Sequence, residues 1–171
     1  MHNNTRRMVL LALFVAIASV LHVVEAWIPL PLPVPGIKLG LANIVSLVVI
    51  AIYGWQDAFF VAILRVLIGS LFGGAFLGPA FAMSISGALI STAVMAFVFR
   101  FWQPPFSIVG VSVIGAVVHN LAQILVAALV VVSSSLLWYL PYLVLFAVPT
   151  GLATGFTTAY FLTKVSKLNL A

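Results

Sequence analysis

The sequence predicts an all-α integral membrane protein: one transmembrane domain over residues 1–171, built as a six-helix bundle with both termini cytoplasmic. Three observations predict it. Hydrophobic residues make up 65% of the chain and charged residues 5%, against about 45–50% and about 25% in a soluble domain. Turn residues divide the chain into six apolar runs, most of them near the roughly 20 residues that a span requires. With six spans, the positive charges sort to one face, as orientation in a membrane requires.

The first helix is expected over Met8–Val24. The preceding "MHNNTRR" resembles the basic region of a signal peptide, but the following "EAWIPLPLP" offers no A-x-A-like cleavage site, so a retained helix is expected. The loop Glu25–Leu39 then carries Pro29, Pro31, Pro33 and Pro35. Proline fixes φ and removes a backbone donor, so this segment is stiff and extended. Two readings stay open for it, a lid over an outer pocket or an interfacial connector.

A short second helix is expected over Gly40–Tyr53 and a third over Trp55–Leu71, parted by Gly54. Gly69, Gly73, Gly74 and Gly78 end the third and form the turn into a fourth, Pro79–Phe99. The fifth runs Phe106–Val132 and the sixth Leu136–Lys164, where Gly151 and Gly155 make the small-xxx-small pattern of close helix packing.

Seven Lys and Arg face two acidic residues, a net charge of +5. The positives lie mostly at the ends of apolar runs, so orientation explains them better than nucleic-acid binding. Arg6, Arg7, Arg100, Lys164 and Lys167 fall on one side of a six-span topology, the cytoplasmic side by the positive-inside rule. Lys38 and Glu25 fall on the other. Five spans would scatter the positives over both faces. Trp27, Trp55, Trp102 and Trp138 lie near predicted helix ends, as interfacial aromatics do. The expected location is a bacterial-type cytoplasmic membrane, with membrane lipid as the surroundings.

The polar residues inside the apolar runs are the candidates for function. Arg65 sits roughly 13 Å into the third helix, near the midplane. A central arginine costs at least about 2.5–3.5 kcal/mol there and normally faces a partner or a cavity. Glu25 or Asp57 is a conceivable partner, although Asp57, two turns away on the same helix, reaches it only with strain. On the fifth helix His119 and Gln123 share a face at a spacing of four, with Asn120 beside them. They fit interhelical hydrogen bonding or ligand contact equally. Asn43 lies one turn inside the second helix, whose N-terminus favours anions. Lys38 stands at its entrance, where topology does not call for a positive charge. The candidate ligand-binding residues are therefore Lys38, Asn43, Arg65, His119, Asn120 and Gln123.

Several chemistries are absent. There is no cysteine, and no second histidine or carboxylate completes a metal set, so neither metal nor cofactor is expected. The chain has no P-loop, no credible Ser-His-Asp set and no paired aspartates to hold Mg²⁺ on a diphosphate. It is not expected to be an enzyme by itself.

The blocks "PGIKLGLANIV", "LRVLIGSLFGG", "SISGAL" and "GVSVIGAVVHNLAQILVA" resemble a membrane family labelled Gx transporter, also labelled heptaprenyl diphosphate synthase component I, from about Arg7 to Gly155. That family is similar to the S components of energy-coupling factor (ECF) transporters. The resemblance implies a six-helix fold with a long first loop over an outward pocket. It also implies that Ala12 and Ala16, four apart on the first helix, dock a coupling subunit served by ABC-type ATPases. The expected function is capture and uptake of a small anionic or polar organic compound. The alternative is an accessory membrane subunit of isoprenoid or quinone biosynthesis, or of flavin-dependent electron transfer.

Overall fold

In hydrocarbon a backbone must satisfy its own polar groups, which leaves the helix as the natural form of every apolar run. The computed structural model describes residues 2–28, 38–102 and 106–167, and those residues are helical with short turns between. The α-helices are α1 (His2–Ala26), α2 (Asn43–Tyr53), α3 (Trp55–Phe72), α4 (Pro79–Phe101), α5 (Ile108–Val131) and α6 (Leu140–Lys167), with a 3-10 helix at Ser134–Tyr139 before α6. Five of them are long and apolar enough to cross a membrane, which makes this a multi-pass membrane protein. The prolines of the first loop, Pro29 to Pro35, lie outside the described residues.

The exception is α2. Its 11 residues extend about 16 Å, against a hydrocarbon core of about 30 Å. "NIVSLVVIAIY" is apolar on all sides, and a helix of that kind belongs inside a bundle. Asn43 and every residue from Val45 to Ile50 are buried. The helix starts three residues later than the sequence predicts, because Gly40 (φ +85°) opens a turn in which the Asn43 N–H donates to the Gly40 carbonyl at 2.9 Å. Asn43 is therefore its first residue rather than one turn inside. At the other end Gly54 (φ +96°) reverses the chain directly into α3.

The remaining boundaries shift by a few residues. α1 extends beyond Met8–Val24 at both ends, and α5 begins at Ile108 because the Ser107 hydroxyl caps it by accepting from the Gly110 N–H at 3.2 Å. Gly69 lies in the last turn of α3, and a Cβ there would stand 2.6 Å from the His22 ring.

Contacts between the helices set their directions. His119 of α5 packs on Gly87 of α4, and Met95 of α4 packs on Gly115 of α5, so the two are antiparallel. Gly151 and Gly155 of α6 meet Val113 and Val109 of α5, again antiparallel. Arg7 reaches Asp57 at one end of the α1–α3 pair and His22 meets Gly69 further along, so these run parallel. The start of α3 lies beside the end of α4, where Trp55 and Phe59 face Phe97 and Arg100. Outward faces are apolar: Val20, Phe60, Leu129 and Phe156 are all exposed. Trp27, Trp55, Trp102 and Trp138 are exposed too, at or beside helix ends.

The predicted glycine contact in α6 is present. A Cβ on Gly151 would lie 2.6 Å from the Val113 Cα, a backbone atom that moves only if the helices separate. Gly151→Val is therefore expected to lower stability by about 1–3 kcal/mol, read as a fall in the thermal unfolding midpoint in detergent. The Arg7–Asp57 pair carries far less. Its atoms meet at 2.6 Å, but the Arg7 side chain is 50% exposed, and such surface pairs contribute at most about 1 kcal/mol. Asp57→Asn is expected to leave the same midpoint within a few degrees. With Asp57 committed to Arg7, it is not the partner of Arg65.

Candidate functional site

The polar side chains of α1 recur every three residues in "SVLHVVE". Ser19, His22 and Glu25 thus share one face, and all three are buried. That face meets α3 at Arg65, α4 at Ser84 and α5 at His119, and the chain entering α2 lies across it. His22, Glu25, Lys38, Gly40, Arg65, Ser84 and His119 line a small space there. Only about 10 Å³ of it admits the centre of a water molecule, room for about one water.

Glu25 ties α1 to the start of α2. Its Oε1 accepts from the backbone N–H of Gly40 and from that of Leu41, the latter at 3.0 Å. Lys38 is clamped at its backbone by Gln123: the Lys38 N–H donates to Oε1 at 2.8 Å, and Nε2 donates to the Lys38 carbonyl at 3.2 Å. Its Nζ lies 2.6 Å from His22 Nε2 and 3.4 Å from the His22 carbonyl. An ammonium only donates, so His22 Nε2 accepts and the ring is neutral with its proton on Nδ1. Burial lowers the Lys38 ammonium to about 8; the Glu25 carboxylate opposes that shift and the Arg65 charge adds to it.

Arg65 is 1% exposed. Its Nη2 donates to Asn43 Oδ1 at 2.8 Å, while its Nε has no partner among the described residues. Ser91 Oγ stands 3.5 Å from both Asn43 Oδ1 and His119 Nδ1. Gly87 makes room for the His119 ring, since a Cβ there would lie 2.9 Å from Cε1. Ser84 Oγ, buried on the cavity wall, also lacks a partner among the described residues.

Two cations, Lys38 and Arg65, thus face one carboxylate, Glu25, and neither lies within ion-pair distance of it: among the described residues Arg7–Asp57 is the one ion pair. With Glu25 ionised and both His22 and His119 neutral, the cluster holds an excess of one positive charge in a low-dielectric interior. Charge of that kind calls for an anion.

Five of the six predicted ligand residues come together here. Lys38, Arg65 and His119 line the cavity, while Asn43 and Gln123 hold the first two of those in place. Asn120 turns away: its Nδ2 donates to the Leu143 carbonyl of α6 at 3.0 Å. His22, Ser84, Ser91 and Gly87 were not among the predicted residues. Ala12 and Ala16 are exposed on α1 and line an apolar groove of about 560 Å³ against Phe60, Leu64 and Ile68 of α3. Among the described residues no group of three His, Cys, Asp or Glu side chains is placed to hold a metal.

Residues 14–161, most of the chain, match the family described as heptaprenyl diphosphate synthase component I. No curated protein and no solved structure matches.

Proposed function

The chain belongs to the heptaprenyl diphosphate synthase component I family, and from that membership we propose a non-catalytic membrane subunit that binds an anionic organic compound at the Lys38–Arg65 cluster. The excess buried positive charge carries this reading. Lys38 and Arg65 meet the anion; Asn43 and Gln123 hold them, and His119 orients the ligand. Asn120 serves the α5–α6 packing in this reading. The family's description makes a prenyl diphosphate the favoured ligand class and an accessory role beside a separate catalytic chain the favoured setting. Catalysis by this chain is disfavoured because it has only two acids. Glu25 is bound to backbone N–H groups and Asp57 to Arg7, so no aspartate pair remains for magnesium diphosphate.

A second reading is uptake of a small anionic compound in the manner of an ECF S component. It is supported by the exposed Ala12–Ala16 face and its groove, which would take a coupling subunit and its ABC-type ATPases. A subunit of flavin-dependent electron transfer has no comparable feature in its favour. In either of the first two readings both termini lie on the cytoplasmic side of a bacterial-type inner membrane, where Arg6, Arg7, Arg100 and Lys164 gather.

Purification of the tagged protein from its own membranes in mild detergent, with mass spectrometry of the chains that accompany it, separates the two. A prenyl synthase carrying aspartate-rich motifs supports the accessory role. ATPases and a coupling subunit, lost on Ala12→Trp with Ala16→Trp, support uptake. Either way the anion needs the Lys38 proton. Arg65, Glu25, His22 and His119 share the cavity, but Lys38 loses its charge at about 8. Affinity for farnesyl diphosphate is therefore expected to weaken as pH rises from 7 to 9, measured by titration in nanodiscs, and Lys38→Arg is expected to flatten the profile.

A further inference from the structure

Room for one water excludes a diphosphate or a carboxylate ligand from the cluster as it stands. Something must leave before an anion enters. The only anionic group inside the cavity lining is Glu25 itself. Its carboxylate already does what an incoming oxyanion would do: it takes the N–H groups of Gly40 and Leu41 at the turn into α2 and faces both cations. Two further groups point to a ligand there. Arg65 Nε and Ser84 Oγ are buried, belong to the residues lining the cavity and have no partner among the described residues.

We propose that Glu25 is a built-in stand-in for the ligand's anionic group, and that the ligand binds by displacing it. The inference rests on the anion-binding reading above. On displacement the oxyanion takes over the Gly40 and Leu41 N–H groups, Lys38 Nζ and the free Arg65 Nε. The Glu25 tie between α1 and the start of α2 is then broken and replaced by the ligand. Occupancy is thereby coupled to the position of that segment, which Gln123 continues to hold from α5 through the Lys38 backbone. The displaced group has the chemistry of a phosphate, diphosphate or carboxylate oxygen, the class that accepts from paired N–H donors and cations.

The chain offers an unusual handle for the test. Glu25 is its one glutamate, Asp57 being the other acid, so ¹³C-carboxyl glutamate labels one site in the wild-type protein. Inorganic diphosphate is the probe, titrated into protein in nanodiscs, with phosphate and farnesyl diphosphate as comparison ligands. The Glu25 resonance is expected to shift along the binding curve, and Glu25→Gln is expected to bind diphosphate at least tenfold more tightly than wild type. Should Glu25→Gln fail to fold, Glu25→Asp, one methylene too short to keep both N–H groups, is expected to bind more tightly as well. If wild type binds diphosphate and Arg65→Met does not, but the Glu25 resonance stays fixed and Glu25→Gln binds no tighter, the site stands and displacement is overturned. If neither wild type nor Glu25→Gln binds diphosphate, phosphate or farnesyl diphosphate, the anion reading itself has failed and the displacement with it. Tight binding of farnesyl diphosphate with none of inorganic diphosphate, accompanied by the same Glu25 shift, supports displacement by an amphiphile.

Discussion

Glu25→Gln, without added anion, is expected to lose about 3–5 kcal/mol of stability, the magnitude seen when one partner of a buried charge set is removed. The sign follows from the cluster's charge count. Wild type holds two cations against one carboxylate inside a cavity lined by Lys38, Arg65 and Glu25. Neutralising the carboxylate leaves two like charges with nothing of opposite sign, in an interior where neither is hydrated. The amide also supplies a weaker acceptor for the N–H groups of Gly40 and Leu41, now held by Oε1. Thermal unfolding in one detergent, compared with Asp57→Asn under the same conditions, gives the contrast. Both variants remove a carboxylate, yet only the buried one should matter.

Arg65→Met carries the opposite sign. Burying a single charge costs several kcal/mol even after relaxation, and Arg65, 1% exposed, has no ion pair among the described residues to offset that cost. With methionine in its place the cavity is neutral, Lys38 against Glu25. The loss is the hydrogen bond to Asn43 Oδ1, worth about 1–3 kcal/mol if that oxygen stays unsatisfied. The balance is a variant more stable than wild type by about 1–3 kcal/mol. Its affinity for farnesyl diphosphate is expected to fall at the same time by about tenfold to a hundredfold, the value of a lost charge-assisted hydrogen bond. A stabilised but non-binding protein is the mark of a residue kept for function at the expense of stability. The measurement is a melting curve and a binding titration on one preparation.

Much of this was legible in the sequence. The apolar runs set off by Gly54 and the Gly73–Gly78 turn mark out the long helices, because composition alone decides what survives in hydrocarbon. Arg65, Lys38 and the His119–Gln123 face stood out because polar groups are rare there. The length and start of α2 were less visible: Gly40 and Leu41 are as compatible with a helix as with a turn, and only the Glu25 bonds and the φ of Gly40 decide. Glu25 itself looked like a residue at a helix end. Its role depends on the chain folding back under α1, a tertiary fact. His22 was detectable from its spacing to Ser19 and Glu25, a polar face of period three in a run otherwise apolar. Asn120 shows the limit of spacing. It neighbours His119 in sequence, but one residue along a helix turns a side chain about 100°, here onto α6.

The claim at the centre of this account is that buried positive charge holds an anion. Equilibrium binding of radiolabelled farnesyl diphosphate to the wild-type protein and to Arg65→Met in nanodiscs tests it most directly. The account predicts saturable binding to wild type, competed by inorganic diphosphate and lost in a variant that melts no lower. Absence of saturable binding to wild type, or binding that Arg65→Met leaves intact, would contradict it.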